Sequence, residues 1–125
     1  MHLLLGLLAL FALAHSARAA APVILQHPAS QSTTVGQPVT FLSSASGTAP
    51  LFYRWQRGTL NIQNATNRNY TLLSAQLSDD GAQFLVIVTN TSGSATSTVA
   101  TLTVAPDTTS PTVMRVGNTA DFMQI

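Results

Sequence analysis

Leu51-Phe52-Tyr53-Arg54-Trp55-Gln56, answered downstream by Asp79-Asp80-Gly81-Ala82-Gln83-Phe84-Leu85-Val86, decides how this 125-residue chain is read. Side chains alternate across an extended strand, so the first stretch sends Leu51, Tyr53 and Trp55 to one side and Phe52, Arg54 and Gln56 to the other. The second continues as a strand with Phe84, Val86 and Val88 on one face and Leu85, Ile87 and Thr89 on the opposite one. A lone Trp in the middle of one alternating strand, and an Asp-Gly turn feeding the other, read as two half-buried β-strands joined through a corner. Trp55 is therefore expected in the core, and Phe52, on the outward side, is the contact candidate.

Short alternating runs separated by turn residues continue on both sides, and no sustained helical period occurs after residue 22. Val23-Ile24-Leu25 opens the domain on an edge, because Pro22 and Pro28 cannot donate to a ladder. Residues 31–35 continue that first strand. Residues 39–45 form the second, with Val39, Phe41, Ser43 and Ala45 sharing a face. Residues 60–66 are irregular or a short edge strand, and 69–73 form a strand with Tyr70 and Leu72 together. The corner 74–81 carries Leu77 inward. Asn90-Thr91-Ser92-Gly93 turns into a last strand, 94–104, with Ala100, Leu102 and Val104 facing in. The expected core is Ile24, Val39, Phe41, Trp55, Tyr70, Leu72, Leu77, Phe84, Val86, Val88, Leu102 and Val104.

The chain begins differently. Leu3-Leu4-Leu5-Gly6-Leu7-Leu8-Ala9-Leu10-Phe11-Ala12-Leu13-Ala14 has the length of a secretory signal core and is short for a bilayer span, and Ala17-Arg18-Ala19 is a small-x-small cleavage pattern. Residues 1–19 read as a signal peptide cut after Ala19, with a cut after Ala21 or an uncleaved anchor as alternatives. Met1-His2 lacks the usual basic start. At the other end, 105–111 has linker composition. Residues 112–125 read as the truncated opening of a second β domain, or as an ordinary frayed terminus.

Composition narrows the function. Without Arg18, Arg54, Arg57, Arg68 and Arg115 balance Asp79, Asp80, Asp107 and Asp121, so there is no basic field for nucleic acid or for an anionic membrane surface. Cysteine is absent, which excludes disulfides, thiolate metal sites and thiol nucleophiles.

Four phrases carry a resemblance: Val35-Gly36-Gln37-Pro38-Val39-Thr40-Phe41, residues 47–56, residues 77–84, and Val88-Thr89-Asn90-Thr91-Ser92-Gly93-Ser94. In this order they resemble the intermediate-type immunoglobulin-like modules of large exported bacterial proteins, over residues 22–104. The resemblance implies an all-β immunoglobulin-like antiparallel sandwich of about seven strands with Greek-key connections. It also implies a secreted or cell-surface location, and a non-catalytic role as an adhesive or ligand-binding module, a spacer, or an accessory domain of a secreted enzyme. The partner is then a protein or glycan ligand, or further modules of the same chain. In the family a cysteine on the second strand pairs with one on the sixth. Ser43 and Val86 hold those places here, and the corner aromatic is Phe84 rather than Tyr.

No constellation points to catalysis. Trp55, Tyr53 and Tyr70 read as core residues rather than sugar platforms. His27 is an exposed spectator beside Pro28. Asp79 and Asp80 serve the corner turn in preference to calcium, one of them with Arg68 as a surface partner. No Ser sits in a nucleophile elbow. Asn64, Asn69 and Asn90 begin glycosylation sequons, for which a bacterial producer implies no modification. No cofactor, metal or catalytic residue is expected.

Overall fold

A computed structural model describes residues 18–109. The core of the expected signal, residues 1–17, and the expected second-domain opening lie outside these residues, as does the end of the linker.

Among the described residues, ten strands form two layers. They are β1 (Val23–Gln26), β2 (Gln31–Thr34), β3 (Val39–Phe41), β4 (Ser44–Ser46), β5 (Phe52–Arg57), β6 (Leu60–Asn61), β7 (Tyr70–Leu72), β8 (Gln83–Asn90), β9 (Gly93–Thr96) and β10 (Ala100–Ala105). One layer runs β2-β10-β8-β5-β6, with β9 extending the pairing along β8. The other comprises the ladders β1·β4 and β3·β7. At the centre β5 pairs antiparallel with β8 and sets Trp55 opposite Val86.

Where the alternation reads as continuous, the backbone breaks at identifiable places. The first strand does not continue as one ladder: β1 pairs with β4 in one layer, whereas β2, beyond Pro28, runs parallel to β10 in the other. The second strand divides at Leu42-Ser43, where the Ser43 N–H donates to Asn69 Oδ1 (3.1 Å). The last divides at residues 97–99. There the Ser97 N–H donates to the Val86 carbonyl (2.9 Å) and its hydroxyl accepts the Val86 N–H (3.0 Å), so a buried serine replaces ladder partners through the bulge.

The core lies between the layers. Phe41, Trp55, Val86, Val88 and Leu102 are fully buried, with Val39, Phe84 and Val104 nearly so, and Ile24, Tyr70 and Leu72 pack partly buried against them. Leu77 is a correction: it is 56% exposed, because it stands on a single 3-10 turn, Leu77–Asp79, that directs Asp79 inward, while the fully buried Ala75 fills the space beneath. Ala65 and Ala75 complete the core; small residues in irregular segments carry no periodic signal.

With no sulfur bridge, aromatic rings couple the layers. Phe41 on β3 stacks on Phe84 of β8 (centroids 4.8 Å apart), and Tyr70 on β7 lies 5.8 Å from Phe84 and 6.0 Å from Trp55. Each such pair contributes about 0.5–1.5 kcal/mol beyond the area it buries.

Candidate functional site

The acidic corner is structural. Gly81, at φ +84°, makes the turn and donates its N–H to the Leu102 carbonyl (2.7 Å). Asp80 Oδ1 accepts the Val104 N–H (2.8 Å). Asp79 accepts the Gln76 N–H (2.8 Å) and pairs with Arg57 Nη1 at 2.6 Å, not with Arg68 as the sequence reading had it. Arg57 also covers the Phe84 ring, 5.7 Å from its centroid, an alignment set by the pairing of β5 with β8 that sequence distance does not show. The two carboxylates thus face separate protein partners, and among the described residues no group of three metal-ligating side chains gathers.

The Arg57 hydrogen bond holds the Asp79 carboxyl below its usual range against the opposing effect of burial, and the Gln76 N–H adds to the lowering. Burial raises the Tyr70 hydroxyl, which Arg57 partly offsets. A carboxyl depressed on folding stabilises the fold above its unfolded pKa, and that contribution disappears as pH falls through the folded value. Because Arg57 is 41% exposed, Asp79→Asn is expected to cost only about 1 kcal/mol at pH 7. Urea denaturation from pH 7 to pH 2 should show the gap between wild type and variant closing below about pH 4. A gap independent of pH would mean that the charge is immaterial.

His27, expected as a spectator, is exposed but engaged: its Nδ1 accepts the Thr98 N–H (3.0 Å), tying the layer-switching segment after β1 to the bulge between β9 and β10. Phe52 is 60% exposed on the outer face of the larger layer, beside a shallow depression of about 160 Å³ lined by Phe52, Tyr53, Arg54, Ile87 and Thr89.

The larger concavity, about 280 Å³, lies in the connection between β6 and β7 and is lined by Gln63, Asn64, Ala65, Asn67, Asn69, Tyr70 and Thr71. The strand core holds its backbone in place. The Trp55 N–H donates to the Ala65 carbonyl (3.0 Å), the Ile62 N–H to the Trp55 carbonyl (2.9 Å), and the indole Nε1 to the Asn67 carbonyl (2.9 Å). The buried Ser43 hydroxyl donates to the Arg68 carbonyl, and its N–H takes the Asn69 oxygen, leaving the Asn69 Nδ2 for other partners. Asn64 adopts φ +64°, which its short amide side chain tolerates. Gln63, Asn64 and Asn67 are exposed, and their side-chain amides make no hydrogen bond among the described residues.

The indole and serine that sequence reading assigns to the core therefore also fix a cluster of uncharged amides at the surface. In the sequence these residues read only as turn formers. Of the sequon asparagines, Asn69 and Asn90 are engaged, Asn90 Nδ2 donating to the carbonyls of Ala20 (2.7 Å) and Thr48 (3.0 Å).

Two layers sharing a buried Trp, with the first strand divided between them and the corner feeding β8, define a cysteine-free immunoglobulin-like fold. Titin domain M4 superimposes with a TM-score of 0.64 at 21% identity, over 71% of this chain and all of that one. The tandem Ig repeats of Dlar give 0.65 at 18% identity, over 74% of this chain and 52% of theirs. Endoglucanase C of Cellulomonas fimi is 34% identical over 88 residues, which are 67% of this chain but 8% of that enzyme. No protein-family model matches the chain.

Proposed function

We propose that this chain is a non-catalytic immunoglobulin-like accessory module of an exported bacterial protein, serving a secreted enzyme that acts on polysaccharide. The observation that carries this reading is the 34% identity with a bacterial endoglucanase of which the matched stretch is only a small part. At the acidic corner, carboxylate chemistry agrees with it. Glycoside hydrolysis typically uses two carboxyl groups across one bond, one protonated and one ionised, whereas Asp79 is bound to Arg57 and Asp80 to the Val104 N–H. An adhesive or spacer role, the other expectation, draws support from the exposed Phe52 face.

Between the two expected cleavage positions, the hydrogen bonds of Ala20 favour a cut after Ala19. The Ala20 N–H donates to Thr48 Oγ1 (2.7 Å), and its carbonyl accepts both the Thr48 N–H (3.1 Å) and the Asn90 amide (2.7 Å). Cleavage after Ala19 leaves this clasp in place; cleavage after Ala21 removes it. Expressed in a bacterial host, the full chain should reach the medium or periplasm with an intact mass beginning at Ala20, and should release no reducing ends from soluble β-glucan. Retention in the cytoplasm with residues 1–19 attached, or measurable turnover, would refute the proposal.

A further inference from the structure

We propose that the amide-lined concavity at residues 63–71 is a subsite for a neutral polyhydroxylated chain, specifically a β-glucan; this inference rests on the accessory-module reading above. The side chains that line it are uncharged, which favours a neutral ligand over a phosphate, a carboxylate or a cation, and the exposed Arg68 is the one charged residue in the same segment. What it offers is a set of planar groups, each presenting a donor and an acceptor side by side: the amides of Gln63, Asn64 and Asn67, together with the remaining Asn69 Nδ2. Adjacent sugar hydroxyls present the complementary pattern, since each both donates and accepts. Tyr70 also borders the site, with its ring packed against Trp55 and Phe84.

Preorganisation is the second argument. Ordering a loop around a ligand opposes binding, but here the backbone is already fixed through Trp55 and Ser43 to the rigid layers. The free side chains are thus displayed from a built platform. The volume, about 280 Å³, falls just below the range of ligand clefts, roughly 300–1,000 Å³, and suits only a short stretch of sugar. A shallow, solvated site with neutral hydrogen bonds implies weak affinity, with a Kd on the order of 1 mM. The depression beside Phe52 differs in kind, since Arg54 and Ile87 there present a cation and an aliphatic surface.

The test is a titration of the ¹⁵N-labelled full chain with cellohexaose, followed by amide shifts. The expected result is saturable shifts gathered in residues 62–71. The double variant Gln63→Ala/Asn67→Ala should melt as wild type does and bind about tenfold more weakly, two neutral hydrogen bonds being removed. The proposal is overturned by shifts that gather around Phe52 instead, by none at about ten times the expected Kd in a chain with a dispersed spectrum, or by equal response to an uncharged glycine-serine peptide. Sugar analysis of the same sample separates the two readings: cleaved cellohexaose would refute the accessory role, whereas intact sugar without shifts would remove only the subsite.

Discussion

Trp55→Ala is expected to lose about 3–5 kcal/mol of folding stability, the usual cost of emptying a fully buried Trp site. The indole lies at 0% exposure between Phe41, Tyr70 and the β8 strand. A domain of this size has only about 5–15 kcal/mol in total, so the variant should be marginal at 37 °C. The substitution also removes the Nε1 bond to the Asn67 carbonyl, so the loop after β6 loses a tether that area burial does not count. Trp55→Phe separates the two effects: it keeps a ring in the core and should cost less, yet still raise hydrogen exchange in residues 62–69. Urea titration of both variants reads the first quantity and amide exchange the second. A Trp55→Ala chain that melts cooperatively within about 1 kcal/mol of wild type would mean that the core is held elsewhere.

The division between what was legible in the residues and what was not follows the range of the interactions. Strand alternation is local, so the burial of Phe84 and Val88 follows from period two, whereas the pairing of β5 with β8 is long-range and does not. The breaks are not local. The second strand divides because Ser43 meets Asn69, and the last because Ser97 and His27 take partners across the fold; neither meeting leaves a trace in spacing. Arg57 and Arg68 flank the same connection, and only the register of β5 places the former at Asp79. Leu77 misleads because an apolar residue in a corner implies an inward side chain, whereas the 3-10 turn reverses the faces and buries a carboxylate that Arg57 neutralises. The amide cleft was hidden for a different reason. Asn and Gln in a connection read as turn chemistry, and their convergence on one concavity depends on tethers to two core residues far away in the chain.

Ser43 and Val86, standing where the resemblance puts a bridge, offer the second large effect. Both are buried, at 2% and 0% exposure; Val86 stands opposite Trp55 in the larger layer, and Ser43 lies between β3 and β4 of the other. The double variant Ser43→Cys/Val86→Cys should form a disulfide on oxidation. In the chain-entropy model, closing a loop of about forty residues stabilises by about 4 kcal/mol. Against this stands the hydrogen bond from the Ser43 hydroxyl to the Arg68 carbonyl, whose loss costs about 1 kcal/mol. The oxidised variant is therefore expected to be about 2–3 kcal/mol more stable than wild type, and the reduced one less stable, so that the sign of the change reverses with dithiothreitol. Ser43→Cys alone isolates the hydrogen-bond loss and should loosen residues 67–69 without touching the sheet pairing. Should the two thiols stay titratable after oxidation while the fold is retained, the positions do not face each other across the layers. The interlocked rings of Phe41, Tyr70 and Phe84 would then be a different solution to joining the sheets, not a substitute occupying the place of a lost bridge.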